Sequence, residues 1–144
     1  QCLEVGARQY LLSDGAFVAA TAGVTLEPKL QGLGNALFAQ TGGFVVLGTQ
    51  GRGQVVVSGL GSLFLLDVAP GRDVTIDNAH VVAWDARLHY EVSVPSAGGG
   101  LLGNLVNSVT SGEALVLRFG GSGQVLVCSR NRASLAALLK SAGA

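Results

Sequence analysis

The stretch Asp67–Val94, DVAPGRDVTIDNAHVVAWDARLHYEVSV, decides how this chain reads, because a fainter version of most of it occurs earlier. Moved back by 63 residues, Leu66-Asp67-Val68 falls on Leu3-Glu4-Val5, and Asp77-Asn78-Ala79 falls on Asp14-Gly15-Ala16. Val81 and Ala83 then fall on Val18 and Ala20. At an offset of 70, Gly53-Gln54-Val55-Val56-Val57 matches Gly123-Gln124-Val125-Leu126-Val127, and at 69, Gly34-Asn35 matches Gly103-Asn104. The pattern is that of a tandem duplication of a β-rich unit, with one copy over about 1–63 and the other over about 64–133.

Outward from that stretch, the composition narrows the classes of function. The 144 residues suffice for one domain with a real core, read here as a single all-β domain over 1–133 and a helical tail over 134–144. Only 12% of the residues are charged and 49% are apolar; ordinary domains carry about 25% charged residues. Much surface must be hidden, in the core or against another molecule, and copies of the same chain are the simplest cover. A net charge of zero, with nine Lys and Arg scattered along the chain and a mild cluster only at Arg118, Arg130 and Arg132, argues against a basic nucleic-acid face. The apolar runs Val55–Leu66 and Val81–Trp84 are short, β-branched and broken, so no transmembrane helix is expected. The chain opens at Gln1 without methionine, so an upstream repeat or targeting segment could have been removed. Cys2 and Cys128 fit no zinc spacing and read as buried free thiols, a bridge between them being the lesser alternative.

Short strands follow one another at turn spacing. Phe17–Ala20 reads as a buried strand, and Val24–Glu27 alternates until Pro28 ends the ladder. Gly51-Arg52-Gly53 between Phe44–Gln50 and Gln54–Ser58 predicts a hairpin, repeated by Gly120–Gly123 between Ala114–Phe119 and Gln124–Ser129. Ala69-Pro70-Gly71-Arg72 suits a type II turn, and Asn78 is expected to take the left-handed conformation that Gly15 takes earlier. In Leu88–Val94 one face carries Leu88, Tyr90, Val92 and Val94, the other His89, Glu91 and Ser93. A helical turn at Asn35–Phe38, a loop at Pro95–Gly100 and a helix or strand at Leu101–Val109 complete the middle. Ser134 is placed to cap a terminal helix whose stripe of Leu135, Leu138 and Leu139 would dock on the sheet. The whole predicts an all-β sandwich or barrel rather than βαβ units.

Five of these segments resemble the AIM24 (DUF124) family, whose fold is similar to the tryptophan RNA-binding attenuator protein (TRAP-like). They are Ser13–Ala20, Leu66–Gly71, Asp77–Trp84, Ser111–Leu117 and Ser129-Arg130-Asn131. The resemblance implies a double-stranded β-helix with no assigned activity, of which this chain looks like the last two of three repeats. Fungal relatives are linked to mitochondrial inner-membrane organisation, while bacterial ones have no settled role. Gly43 stands where the second copy has Glu113 of the Ser-Gly-Glu motif. A missing repeat would leave strand edges open to self-assembly or to a protein partner. The attenuator protein binds tryptophan and RNA, but no Lys-studded face supports that here.

The candidate chemistry is thin. His80, His89 and Glu91 form the one constellation that could ligate a metal in cupin-like fashion. The repeat places His80 on Phe17 and His89 on Leu26, both apolar, which favours packing roles. Trp84 and Tyr90 belong to the core or line an apolar ligand cavity. Gly32-Leu33-Gly34, Gly59-Leu60-Gly61 and Gly98-Gly99-Gly100 lack the Lys and the strand-to-helix step of phosphate loops. No nucleophile motif is present. The expectation is a cytoplasmic, cofactor-free, non-enzymatic homo-oligomeric module. The alternatives are an apolar-ligand binder and a metal-dependent protein, and peripheral membrane contact through the tail is a further option.

Overall fold

Side chains that alternate in and out with period two make strands of most of this chain, and glycines at fixed places carry it between sheets. The computed structural model describes residues 1–30, 45–93 and 115–143. The expectations at Asn35–Phe38, Pro95–Gly100 and Leu101–Val109, the glycine clusters at 32–34 and 98–100, and the Gly43/Glu113 contrast lie outside the described residues.

The first six strands are β1 (Cys2–Val5), β2 (Tyr10–Leu12), β3 (Phe17–Ala20), β4 (Val24–Leu30), β5 (Val45–Gly51) and β6 (Gly53–Val57). The next six are β7 (Leu60–Val68), β8 (Val74–Asp77), β9 (Val81–Asp85), β10 (His89–Ser93), β11 (Val116–Gly120) and β12 (Gly123–Arg130). A 3₁₀ turn at Asn78–His80 and a helix α1 (Arg132–Ser141) are the other regular elements among the described residues. The fold is all-β and sandwich-like. A six-stranded antiparallel sheet, β4-β5-β2-β9-β12-β7, lies between two three-stranded ones, β1-β6-β3 and β10-β11-β8.

Two cores follow from this layering. Leu12, Ala83 and Leu126 of the six-stranded sheet pack against Leu3, Val5, Val55 and Val57 of β1 and β6. Their sequence neighbours Leu11, Trp84 and Val125 point the other way, onto Leu117 and Phe119 of β11. Adjacent residues thus serve opposite cores, which explains why β2 and β9 are buried at every position.

The ladders of the second half retrace those of the first. Glycine corners align at an offset of 70: Gly51 at φ +96° with Gly121 at φ +103°. β1 against β6 matches β7 against β12 with an offset of 63 for β1, as in Val5↔Gly53 and Val68↔Gly123. From β2 onward the offset becomes 64: Leu11↔Gly48 matches Thr75↔Arg118, and Ala20↔Val55 matches Trp84↔Val125. The extra residue sits in the turn Ala69–Asp73, which carries the expected Arg72-to-Ala69 hydrogen bond (2.9 Å) and Gly71 at φ +75°. Matching by sequence identity alone keeps 63 from Leu66 to Ala83 and is one residue out beyond that turn.

Other expectations are corrected. Gly51-Arg52-Gly53 and Gly120–Gly123 do not close hairpins: β5 and β6 lie in different sheets, as do β11 and β12. The positive φ values turn the chain out of one layer and into the next. β4 continues through Pro28, paired with Leu47, to Leu30. It is an edge strand, where proline's missing N–H is harmless on the open side. β3 is exposed at all four positions rather than buried. Asn78 does not take the left-handed conformation, since no non-glycine residue described has positive φ. The Asp77 carboxylate instead accepts the Ala79 N–H (2.9 Å) and caps a 3₁₀ turn. The cap of α1 is Asn131, whose Oδ1 accepts the Ser134 N–H at 2.7 Å, and not Ser134 itself. The leucine stripe does not dock: Leu135, Leu138 and Leu139 are 38%, 56% and 50% exposed. Both cysteines are free, Cys128 buried but Cys2 exposed.

Candidate functional site

The halves meet where β2 pairs with β9, in the register Tyr10↔Asp85, Leu11↔Trp84 and Leu12↔Ala83. Beside this seam lies a cavity of about 240 Å³. Leu3, Leu65, Ala83 and Leu126 give it apolar walls, Trp84 and Tyr10 an aromatic one, and Cys2, Glu4, Arg8 and Gln124 its polar part.

Charge at the seam is organised around Asp85, the last residue of an otherwise apolar strand. Its side chain is fully buried, yet it is well partnered. Arg87 reaches back with Nε on Oδ1 (3.0 Å) and Nη2 on Oδ2 (2.7 Å), and the Arg87 backbone N–H adds a third bond (3.0 Å). Arg8, from the other half of the chain, approaches Oδ2 at 3.4 Å. Burial alone pushes the Asp85 carboxyl up, but the Arg87 hydrogen bonds and the two guanidinium charges outweigh it and hold the group below the usual carboxylate range. Arg8 also donates to Gln124 Oε1 (2.8 Å), and Gln124 Nε2 donates to Asp67 (2.9 Å). The result is a relay of carboxylate, glutamine and arginine across the seam.

The expected metal constellation is not brought together. His80 stands at the entry to β9, where Nδ1 lies 2.7 Å from the Cys128 carbonyl and Nε2 lies 3.0 Å from the Asn131 amide. A proton on Nδ1 donates to that carbonyl, and Nε2 then accepts from Asn131, so neither nitrogen is left over for an ion. His89 and Glu91 lie on β10 in an outer sheet, 3.6 Å apart and mostly exposed. Among the described residues no group of three or more His, Cys, Asp or Glu side chains is arranged to hold a metal ion. With the offset of 64, His80 is the counterpart of Ala16 and His89 that of the exposed Thr25.

Trp84 is 1% exposed and packs edge-on against Tyr90 (5.2 Å between centroids, 73°) and Phe119 (5.6 Å, 63°). Trp84 is among the residues lining the cavity and Tyr90 is not, while the two rings pack together in the core shared with Phe119. Burial raises the Tyr90 hydroxyl to a pKa of about 12. Sequence reasoning missed Arg8, Asp85 and Gln124. The available signal was repetition: glutamine recurs at Gln54 and Gln124, an acid at Glu4 and Asp67, and arginine at Arg8 and Arg72.

Layered antiparallel sheets, glycine corners and a seam of compensated charge define the class: an all-β, sandwich-like fold. Residues 1–130 match the family described as mitochondrial biogenesis AIM24, and the chain belongs to that family. An uncharacterized protein of Streptococcus pyogenes serotype M6, M6_Spy0233, is 35% identical over 138 residues, covering 96% of this chain and 52% of that protein. The crystal structure of protein SPYM3_0169 from Streptococcus pyogenes is similar with a TM-score of 0.77 and 33% identity, over 98% of this chain and 58% of that one. The chain thus spans about half the length of the curated relative it matches.

Proposed function

We propose that this chain is a non-enzymatic, self-assembling module built from two copies of one β unit, acting as a scaffold or protein-interaction domain. The observation that carries the reading is the apolar exterior: Phe17, Val18, Phe64 and Leu65 are 37%, 55%, 51% and 51% exposed, all on strands. Apolar strand residues in contact with water are unfavourable unless a partner covers them. A cytoplasmic setting suits the two free thiols. No described helix is long and apolar enough to cross a membrane. Light scattering across a micromolar concentration series tests the proposal. The expected mass is a multiple of 14.5 kDa, and a monomer at every concentration overturns it.

A second reading rests on the cavity beside Trp84. Its volume of about 240 Å³ suits a small apolar molecule carrying one polar end toward Arg8 or Gln124. Trp84 is the only tryptophan, so its fluorescence reports occupancy directly. Native mass spectrometry of freshly purified protein should show a retained small molecule, and a clean apo mass removes this reading.

A further inference from the structure

The two halves of the chain differ at the far end of β12. His80, in the 3₁₀ turn Asn78–His80, is the counterpart of Ala16 under the offset of 64. Asn131, just past β12, is the counterpart of Gly61 under the offset of 70. Two positions with no polar side chain in the first half thus carry an imidazole and a carboxamide in the second. The two are in contact, with the Asn131 amide nitrogen 3.0 Å from His80 Nε2.

The backbone at either end of this pair fixes every proton in it. Ser134 N–H can only donate, so the Asn131 atom 2.7 Å from it is Oδ1, and the amide presents Nδ2 to the imidazole. Nδ2 can only donate in turn, so Nε2 accepts and carries no proton. The proton is on Nδ1, 2.7 Å from the Cys128 carbonyl oxygen, which can only accept. This pattern admits one form of His80, the neutral Nδ1–H tautomer, and two backbone groups dictate it.

The same amide holds the start of α1. Asn131 is the N-cap of that helix, and from Ser134 to Gly143 every residue is exposed. Helices this short are marginal in water without packing, so the cap matters more here than on a buried helix. The charged and titratable groups around His80 give an added proton no help. Asp77, at the start of the same turn, accepts the Ala79 N–H (2.9 Å). On β12 the buried Cys128 thiol donates to the Arg130 carbonyl (3.1 Å), and Arg130 is exposed. The charged residues of α1 are Arg132 and Lys140, both cationic. Among the described residues the histidine that meets a carboxylate is His89, not His80.

We propose that His80 is an acid-operated latch on the start of α1. A proton added at Nε2 sets N–H against N–H at the Asn131 contact. The amide then turns over and gives Oδ1 to the imidazolium, because a bond to a charged donor outweighs the neutral bond to the Ser134 N–H. That withdraws the cap, since the amide NH₂ left facing Ser134 cannot accept. Capping of α1 and protonation at Nε2 exclude one another, so acid frays the first turn and neutral pH restores it. The proton comes from solvent and returns to it. The latch acts within one chain and needs no second copy.

Nitrogen NMR of the imidazole and amide hydrogen exchange test this. At neutral pH His80 is expected as the Nδ1–H tautomer, and an Nε2–H signal there overturns the proposal. On lowering the pH from about 7.5 to about 5.5, the range in which histidine changes charge, the Ser134 amide should lose protection. Corrected for the intrinsic exchange rate at each pH, the loss should be about fivefold, the effect of losing one cap. His80→Gln does not titrate and should remove the change. Asn131→Asp should reverse it. One carboxylate oxygen takes the Ser134 N–H while the other accepts from protonated Nε2, so acid tightens the first turn. Far-UV circular dichroism confirms that each variant is folded, and the tautomer and exchange of the unsubstituted protein carry the test if one is not. Protection that does not change with pH in the unsubstituted protein overturns the latch. So does a loss that persists in His80→Gln or keeps its direction in Asn131→Asp.

Discussion

Asp85 and Tyr90 are two titratable groups taken out of water with opposite outcomes. Asp85 has two arginines and a backbone N–H to hold its charge, so its folded pKa lies below the unfolded value of about 3.9. The stability this supplies is complete above that value and is lost as the pH falls through the lower folded value. Replacing Asp85 with Asn should cost about 2 kcal/mol at neutral pH and flatten the acid limb of a stability-against-pH curve. Tyr90 has no hydrogen-bond partner for its hydroxyl among the described residues, and its pKa rises to about 12. The unfolded chain releases that proton near pH 10, so stability should decline from about pH 10 toward 12. Tyr90→Phe should abolish that decline while changing stability at neutral pH by less than about 1 kcal/mol. Thermal melts across pH check both. Neither role was legible beforehand: Asp85 sits one residue past an apolar run, and only folding brings Arg8 to it across 77 positions.

Among the elements, the glycine corners separate backbone need from simple turn preference. Gly51 has φ +96°, and a Cβ there would overlap the Gly23 carbonyl oxygen. Gly71 has φ +75° with nothing near its would-be Cβ. Gly71→Ala should therefore cost about 1–2 kcal/mol, the ordinary left-handed penalty. Gly51→Ala adds the displacement of the Gly23 carbonyl, in the turn before β4, to that penalty and should lower the midpoint of urea unfolding distinctly further. Equal effects would mean that the corner can relax. Turn positions were plain from the sequence, because Gly and Pro act locally. Which strand each turn leads to was not, because a turn residue fixes the local bend and not the sheet that receives the next strand. The same limit hid the open side that lets Pro28 sit within β4.

Over the whole molecule, two internal cores sit beside an unshielded exterior. Trp84→Ala should cost about 3–5 kcal/mol by opening a void between layers. Leu138→Ser and Leu139→Ser, at 56% and 50% exposed sites, should each shift stability by less than about 0.5 kcal/mol. Equilibrium denaturation of the three variants measures this contrast. A large loss from either leucine change would mean that α1 packs against something when the protein is in solution.

The sequence alone determined the all-β class, the positions of most strands and the family, because period-two alternation, glycine punctuation and repeated segments are local signals along the chain. It also marked the chain as too apolar to suit a fully hydrated surface. The tertiary structure decided the partition into three layers, the one-residue change of offset beyond β1, the burial of Asp85 and the exposure of β3. Those properties depend on which strands lie side by side, and strand pairing is a non-local choice that no stretch of sequence records by itself.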